Sequence, residues 1–153
     1  TTTEGFLGKT EFYGVGVEPL AIQDTKWVVT EGQDMAIRWI APAAGARSRL
    51  KVEMNIDQHG LTPLTLSCSF ADTGQASIPS SLIDAWIGAG VTGFPRAMVA
   101  RETRDSVTTD KGCAEFQVSS IRNMTIEVEG FIPCTSDENC PDGTCNQEIQ
   151  QCE

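Results

Sequence analysis

Apolar and polar side chains alternate strictly along several stretches of the chain, which predicts strands with one face in a core and the other in water. Over residues 50–57, Leu50, Val52, Met54 and Ile56 point one way while Lys51, Glu53, Asn55 and Asp57 point the other. The same period sets Leu64, Leu66, Cys68 and Phe70 inward against Thr65, Ser67 and Ser69, and Met35, Ile37 and Trp39 opposite Ala36 and Arg38. Met124, Ile126 and Val128 alternate with Thr125, Glu127 and Glu129. Weaker alternation predicts strands at 13–17, 96–103 and 114–119. Residues of turn type separate them at 31–34, 42–45, 59–60, 72–74 and 110–112.

About seven short strands at this spacing, with no strand–helix alternation, predict an all-β chain: an antiparallel β-sandwich of the immunoglobulin-like or fibronectin type III-like kind. One short helix is expected over 79–87. Ser80 is placed to cap its first turn, and Leu82, Ile83, Trp86 and Ile87 share a face that would plug one end of the sandwich. Glycines make 88–95 a loop.

Two stretches carry a resemblance. Residues 27–42, with Trp27, the Gly32 turn and the Ile37-x-Trp39 strand in order, look like the opening of bacterial and fungal cell-surface Ig-like domains. Residues 68–82, from Cys68 through Asp72-Thr73-Gly74 to Leu82, are similar to a strand, turn, strand and helix pattern of secreted bacterial lipoproteins with β-sandwich domains. These resemblances imply a fold and an exported location, and no activity.

Composition narrows the function classes. The chain has 153 residues, a formal net charge of -10 and 21% charged residues. That size suits one domain with a small appendage, here 1–133 followed by 134–153. The acidic balance repels phosphate backbones, so no nucleic-acid partner is expected. No apolar run approaches the roughly 20 residues that cross a bilayer. The opening Thr1-Thr2-Thr3-Glu4-Gly5 has no signal-peptide character, so an exported chain would already have lost its signal; the threonines would also suit a spacer below an upstream lipid anchor. The chain is read as a monomer whose partner is an unknown protein or glycan at the cell surface.

Four of the six cysteines, Cys134, Cys140, Cys145 and Cys152, crowd into a tail with almost no apolar side chains. Such a segment folds only through covalent bonds, which implies an oxidising compartment: extracellular, periplasmic or cell-surface. The spacing lacks a Cys-x2-Cys pair and no histidine is near, so disulfides fit better than zinc, and no cofactor is expected. Sequence alone leaves three pairings open. The tail resembles small four-cysteine modules attached to exported proteins of some Gram-negative bacteria, and that resemblance implies Cys134 with Cys145 and Cys140 with Cys152. Cys68 and Cys113 then remain for each other. Cys68 faces the core by parity whereas Cys113 shares a face with Glu115 and Gln117, so this pair needs a bulge at Gly112; otherwise one of the two pairs with the tail.

Other constellations have a sharp and a plain reading. Asp72-Thr73-Gly74 after Phe70 and Ala71 matches the way aspartic proteases place a catalytic carboxylate, but one triplet would require a retropepsin-like homodimer, whereas a β-turn between two strands explains it without further assumptions. Asp137, Glu138, Asn139 and Asp142 offer oxygen ligands for calcium without the spacing of a calcium loop. His59, beside Asp57 and Gly60, reads as a turn residue with no nucleophile to assist. Trp27, Trp39 and Trp86 fit a core better than a sugar platform. Arg96, Arg101 and Arg104, with Arg47, Arg49 and Lys51, read as locally paired charges. The leading expectation is a non-catalytic extracytoplasmic interaction or structural module, binding through 88–95 and the hairpin 103–112. A retropepsin-like protease built on Asp72 and a carbohydrate- or calcium-binding module are the alternatives.

Overall fold

The computed structural model describes residues 10–56, 64–141 and 143–153. Its elements run β1 (Trp27–Val29), β2 (Met35–Arg38), β3 (Arg49–Asn55), β4 (Thr65–Ala71), β5 (Gln75–Ile78), α1 (Ser80–Gly88), β6 (Arg96–Thr109), β7 (Gly112–Val128), a single 3-10 turn (Asp137–Asn139), β8 (Cys145–Asn146) and β9 (Gln151–Cys152). The chain is all-β with one short helix. Five strands form a sheet in the order β1-β7-β6-β3-β4, β2 and β5 form an antiparallel ribbon, and β8 and β9 form a small hairpin in the tail. All neighbours in the large sheet are antiparallel except β1, which lies parallel to β7 with Trp27 beside Ile126 and Val29 beside Val128.

Period-two alternation builds the core directly. Leu50, Val52 and Met54 of β3, Val99 of β6, and Met124, Ile126 and Val128 of β7 turn to one side of the sheet. Met35, Ile37 and Ile78 of the ribbon, Ile83 and Trp86 of α1, and Leu20, Trp27 and Trp39 join the same cluster. Each aliphatic side chain fully buried there contributes roughly 1.5–3 kcal/mol.

The structure corrects several local expectations. The weak strand at 114–119 and the strong one at 124–128 are a single strand, β7, which pairs with β6 from Thr109 opposite Gly112 to Arg96 opposite Thr125. Residues 13–17 form no strand; Tyr13 and Val15 stand 78% and 50% exposed. That segment is instead pinned to the hairpin by Tyr13 N on Asp105 and by the Thr103 hydroxyl on the Val15 carbonyl. Ser80 does not cap α1: Pro79 holds the cap position, and the Asp34 carboxylate accepts the Ser80 N–H at 2.7 Å. An anion at a helix N-terminus offsets the partial positive charge there. Leu82 lies outside the packed face at 42% exposure, and Leu64, just before β4, is 41% exposed.

Candidate functional site

Asp72 sits in the turn from β4 to β5, where Gly74 takes φ +96°, a conformation that favours glycine. A Cβ at Gly74 would also meet the Ala41 Cβ at 3.3 Å. The turn aims the Asp72 carboxylate inward at Arg101 of β6. Arg101 Nε donates to Oδ2 at 2.7 Å and Nη2 to Oδ1 at 3.2 Å; Trp39 Nε1 donates to Oδ1 and the Ser48 hydroxyl to Oδ2, both at 2.6 Å. The two charged side chains are 3% and 2% exposed. Arg101 spends its remaining donors on the carbonyls of Glu18, Pro19 and Ile40. Desolvation by burial pushes the Asp72 carboxyl up, but the hydrogen bonds from Arg101, Ser48 and Trp39 and the Arg101 charge together outweigh it, so its pKa lies below the ordinary carboxylate value. With two donors on each oxygen, the four lone pairs of the Asp72 carboxylate are taken, which leaves none for an attacking water or a shared proton. The geometry is that of a buried structural ion pair. Arg101 had a legible signal, since parity sets it inward with Ala97 and Val99.

In the tail, disulfides join Cys134 to Cys145 and Cys140 to Cys152. The sulfurs of Cys134, Cys140 and Cys152 lie within 4.8 Å of one another because the two bridges adjoin; bridged sulfurs offer no thiolate to a metal. The Asp137 carboxylate accepts the Cys145 N–H at 2.8 Å, and the Asn139 side-chain oxygen gathers the N–H groups and hydroxyls of Thr135 and Ser136. These oxygens close the loop from within, while Glu138 faces solvent. Asp142, Asp57 and His59 lie outside the described residues.

Cys68 and Cys113 are free thiols, which corrects the expectation of a bridge between them. Cys68 pairs with Val52 and through it with Val99, whereas Cys113 pairs with Thr108, nine positions further along β6. At 3.2–3.4 Å per residue that offset alone is about 30 Å, far beyond the roughly 7 Å limit between the Cα atoms of a disulfide. Burial pushes the Cys68 thiol pKa up. Cys113 is exposed near the hairpin turn, its sulfur 3.2 Å from the Ser106 hydroxyl.

All three tryptophans are buried, so none forms a platform. Arg47, Arg49, Lys51 and Arg104 rim a hollow on the outer face of the sheet together with Glu102. Lys51 pairs with Glu53, and Arg104 with Glu102 and Glu115.

A second concavity lies at the opposite edge of that sheet. A groove of about 830 Å³ runs between β1, the end of β7, the loop before β6 and the start of the tail. Val28, Phe94 and Ile132 line it at 54%, 48% and 46% exposure, with Pro95, Phe131 and Pro133 between them. Glu127 and Glu129 stand at its rim; Glu127 holds Lys26 at 2.7 Å, and Glu129 has no ion pair among the described residues. The tail fixes the far wall: Cys152 N donates to the Ile132 carbonyl, Cys134 N to that of Gln150, and Gly93 N to that of Ile149. Of the two binding regions expected from sequence, 88–95 contributes Phe94 and Pro95, while the 103–112 hairpin closes at Thr109–Gly112 as a tight turn away from the groove. Val28 and Ile132 gave no signal in sequence, because an apolar residue on a solvent face is individually unremarkable. Comparison with family models, with curated proteins and with solved structures finds no match to this chain.

Proposed function

We propose that this chain is a non-catalytic, extracytoplasmic interaction module that binds an extended segment of a partner protein in the groove between β1 and the tail. The observation that carries the reading is the groove itself: three large apolar side chains half exposed around one concavity, beside the Glu129 carboxylate, which has no ion pair among the described residues. Contiguous exposed apolar surface of this kind with a polar rim fits an interaction site. The acidic rim selects the occupant, a peptide with apolar side chains followed by lysine or arginine.

The location follows from the tail. Two disulfides in a segment without an apolar core support an oxidising compartment, and no helix among the described residues is long and apolar enough to cross a membrane. In this reading the module is secreted or held at a cell surface through an upstream lipid anchor. Its layers are of the immunoglobulin-like kind. What supports this reading is the strand order β1-β7-β6-β3-β4 with a separate β2–β5 ribbon, which fits G-F-C-C′ in one layer and B and E in the other.

The test is a titration of the labelled protein with two short peptides, Leu-Val-Leu-Lys-Lys and Leu-Val-Leu-Glu-Glu, followed by amide chemical shifts. The basic peptide is expected to move Val28, Phe94 and Ile132, and Glu129→Lys to abolish that response. Equal responses to both peptides, or none up to millimolar concentration, overturn the reading.

A further inference from the structure

The five-stranded sheet ends at β1 on one side and at β4 on the other. In β4 the backbone groups of alternate residues face opposite ways. The Ile56 N–H donates to the Leu64 carbonyl in the register that continues Asn55 opposite Thr65, so even-numbered residues turn their backbone groups to β3. Thr65, Ser67, Ser69 and Ala71 therefore present theirs to the open edge. Among the described residues, the Ala71 carbonyl is taken by Thr73 N, and Arg49 Nη2 donates to the Ser69 carbonyl at 3.2 Å, leaving that oxygen a second lone pair. Among the described residues, the N–H groups of Thr65, Ser67, Ser69 and Ala71 and the carbonyls of Thr65 and Ser67 have no such partner.

Edge strands usually carry a charge, a proline or a bulge that blocks pairing with another chain. Among residues 65–71 there is none of these. The long free edge of β7, by contrast, carries Glu115 and Arg122. On the core side of β4, Leu66, Cys68 and Phe70 pack against the core yet stay only half buried, so the apolar layer is open at this border.

We propose that β4 pairs antiparallel with β4 of a second copy of this chain, on a two-fold axis through Cys68, joining the two five-stranded sheets into one. The strand is complementary to itself about that residue. Leu66 meets Phe70 of the second copy, and Cys68 meets Cys68, closing the half-open apolar layer. On the outer face Ser67 meets Ser69 and Thr65 meets Ala71, without opposed charges. Ser67 and Ser69 lie at hydrogen-bonded positions of the new ladder and exchange both backbone bonds. Lys51 of one copy stands level with Glu53 of the other, so the flanking strands also avoid opposing like charges in a chain of net charge -10. A dimer at this edge leaves the groove beside β1 open, because the two lie at opposite borders of the sheet. It replaces the monomer expected from sequence.

The geometry gives the dimer a specific chemical reporter. Cys68 falls at a non-hydrogen-bonded position, where facing Cα atoms stand about 4.5 Å apart, inside the range of a disulfide. The experiment treats the Cys113→Ser protein with oxidised glutathione, which takes up the two thiol hydrogens as two molecules of reduced glutathione while one Cys68–Cys68 bond forms. A covalent dimer whose non-reduced peptide map joins two copies of the Cys68 peptide is expected. Sedimentation without oxidant is expected to show a dimer that Cys68→Ser retains and that Ser67→Lys weakens by about tenfold or more, its two lysines now lying beside the axis while the circular dichroism stays unchanged. Ser67→Pro, which deletes an outward N–H, is expected to do the same. A monomer up to millimolar concentration, a dimer indifferent to Ser67→Lys, or failure of Cys68 to cross-link in a protein that does sediment as a dimer overturns the proposal.

Discussion

Arg101 grips Asp72 at 2.7 Å in a place where both side chains are almost wholly removed from water. Around this pair five pieces of chain converge: β6 through Arg101, the β4–β5 turn through Asp72, the end of the ribbon through Trp39 and Ile40, the approach to β3 through Ser48, and the N-terminal segment through Glu18 and Pro19. Breaking a buried pair from one side leaves the other charge stranded, at about 3–5 kcal/mol. Asp72→Val and Arg101→Leu are each expected to lose stability on that scale in urea unfolding. The double variant Asp72→Val/Arg101→Leu is expected to lose less than the sum, since neither charge is then left alone. Additive losses would mean that the pair is not coupled.

Acid unfolding should report the same carboxylate. The native pKa of Asp72 is depressed, so the native state holds its proton less tightly than the unfolded chain, whose aspartates titrate near 3.9. The stabilisation is therefore fully present above that value and is lost as pH falls below it toward the native pKa. Urea midpoints measured from neutrality to strong acid are expected to fall more steeply in the parent than in Asp72→Asn. The two profiles running parallel would remove Asp72 as the source.

The tryptophans separate by their indole nitrogens. Trp39 donates to a carboxylate, whereas Trp27 Nε1 and Trp86 Nε1 are buried with no hydrogen-bond partner among the described residues. A hydrogen bond to a charged group contributes about 1.5–3 kcal/mol, and a buried donor without a partner carries its desolvation cost unrewarded. Trp39→Phe is expected to lose its bond energy in addition to packing, while Trp86→Phe loses packing alone and regains part of it by removing the stranded donor. Equal losses for both variants in thermal unfolding would contradict this assignment.

How much of this was legible in sequence depends on the range of the determining interaction. Alternation located β2, β3, β4 and β7 and their inward faces, because a strand's parity is a property of neighbouring residues alone. The same logic failed at 13–17, where alternation exists but side-chain bonds to Asp105 and Thr103, not a backbone ladder, hold the segment. Ser80 met the local rule for a cap and lost to Asp34, an acceptor 46 residues earlier that only the tertiary fold brings near. The Cys68–Cys113 bridge followed from counting cysteines, and strand register, which counting does not see, keeps the two thiols far apart.

The candidate site divides the same way. Asp72 was singled out for its triplet, and its partner Arg101 was visible as a charge at an inward position, yet nothing in either stretch says that the two meet. The groove was half legible through the glycine-rich loop that carries Phe94. The rest of its lining comes from Val28 on one side and Ile132 on the other, which are 104 positions apart in the chain, and patterns read in short windows do not join residues at that distance.

Residues 131–133 end the body of the protein and at the same time begin the tail, with the Ile132 carbonyl held by Cys152 and Pro133 bridged to Gln151. The far side of the groove is thus fastened by sulfur chemistry, while the near side rests on the apolar core. Under reducing conditions the sheet would persist and the fastening would go, leaving Ile132 without a fixed place. If the groove binds as proposed, its affinity would be conditional on the redox state of its surroundings.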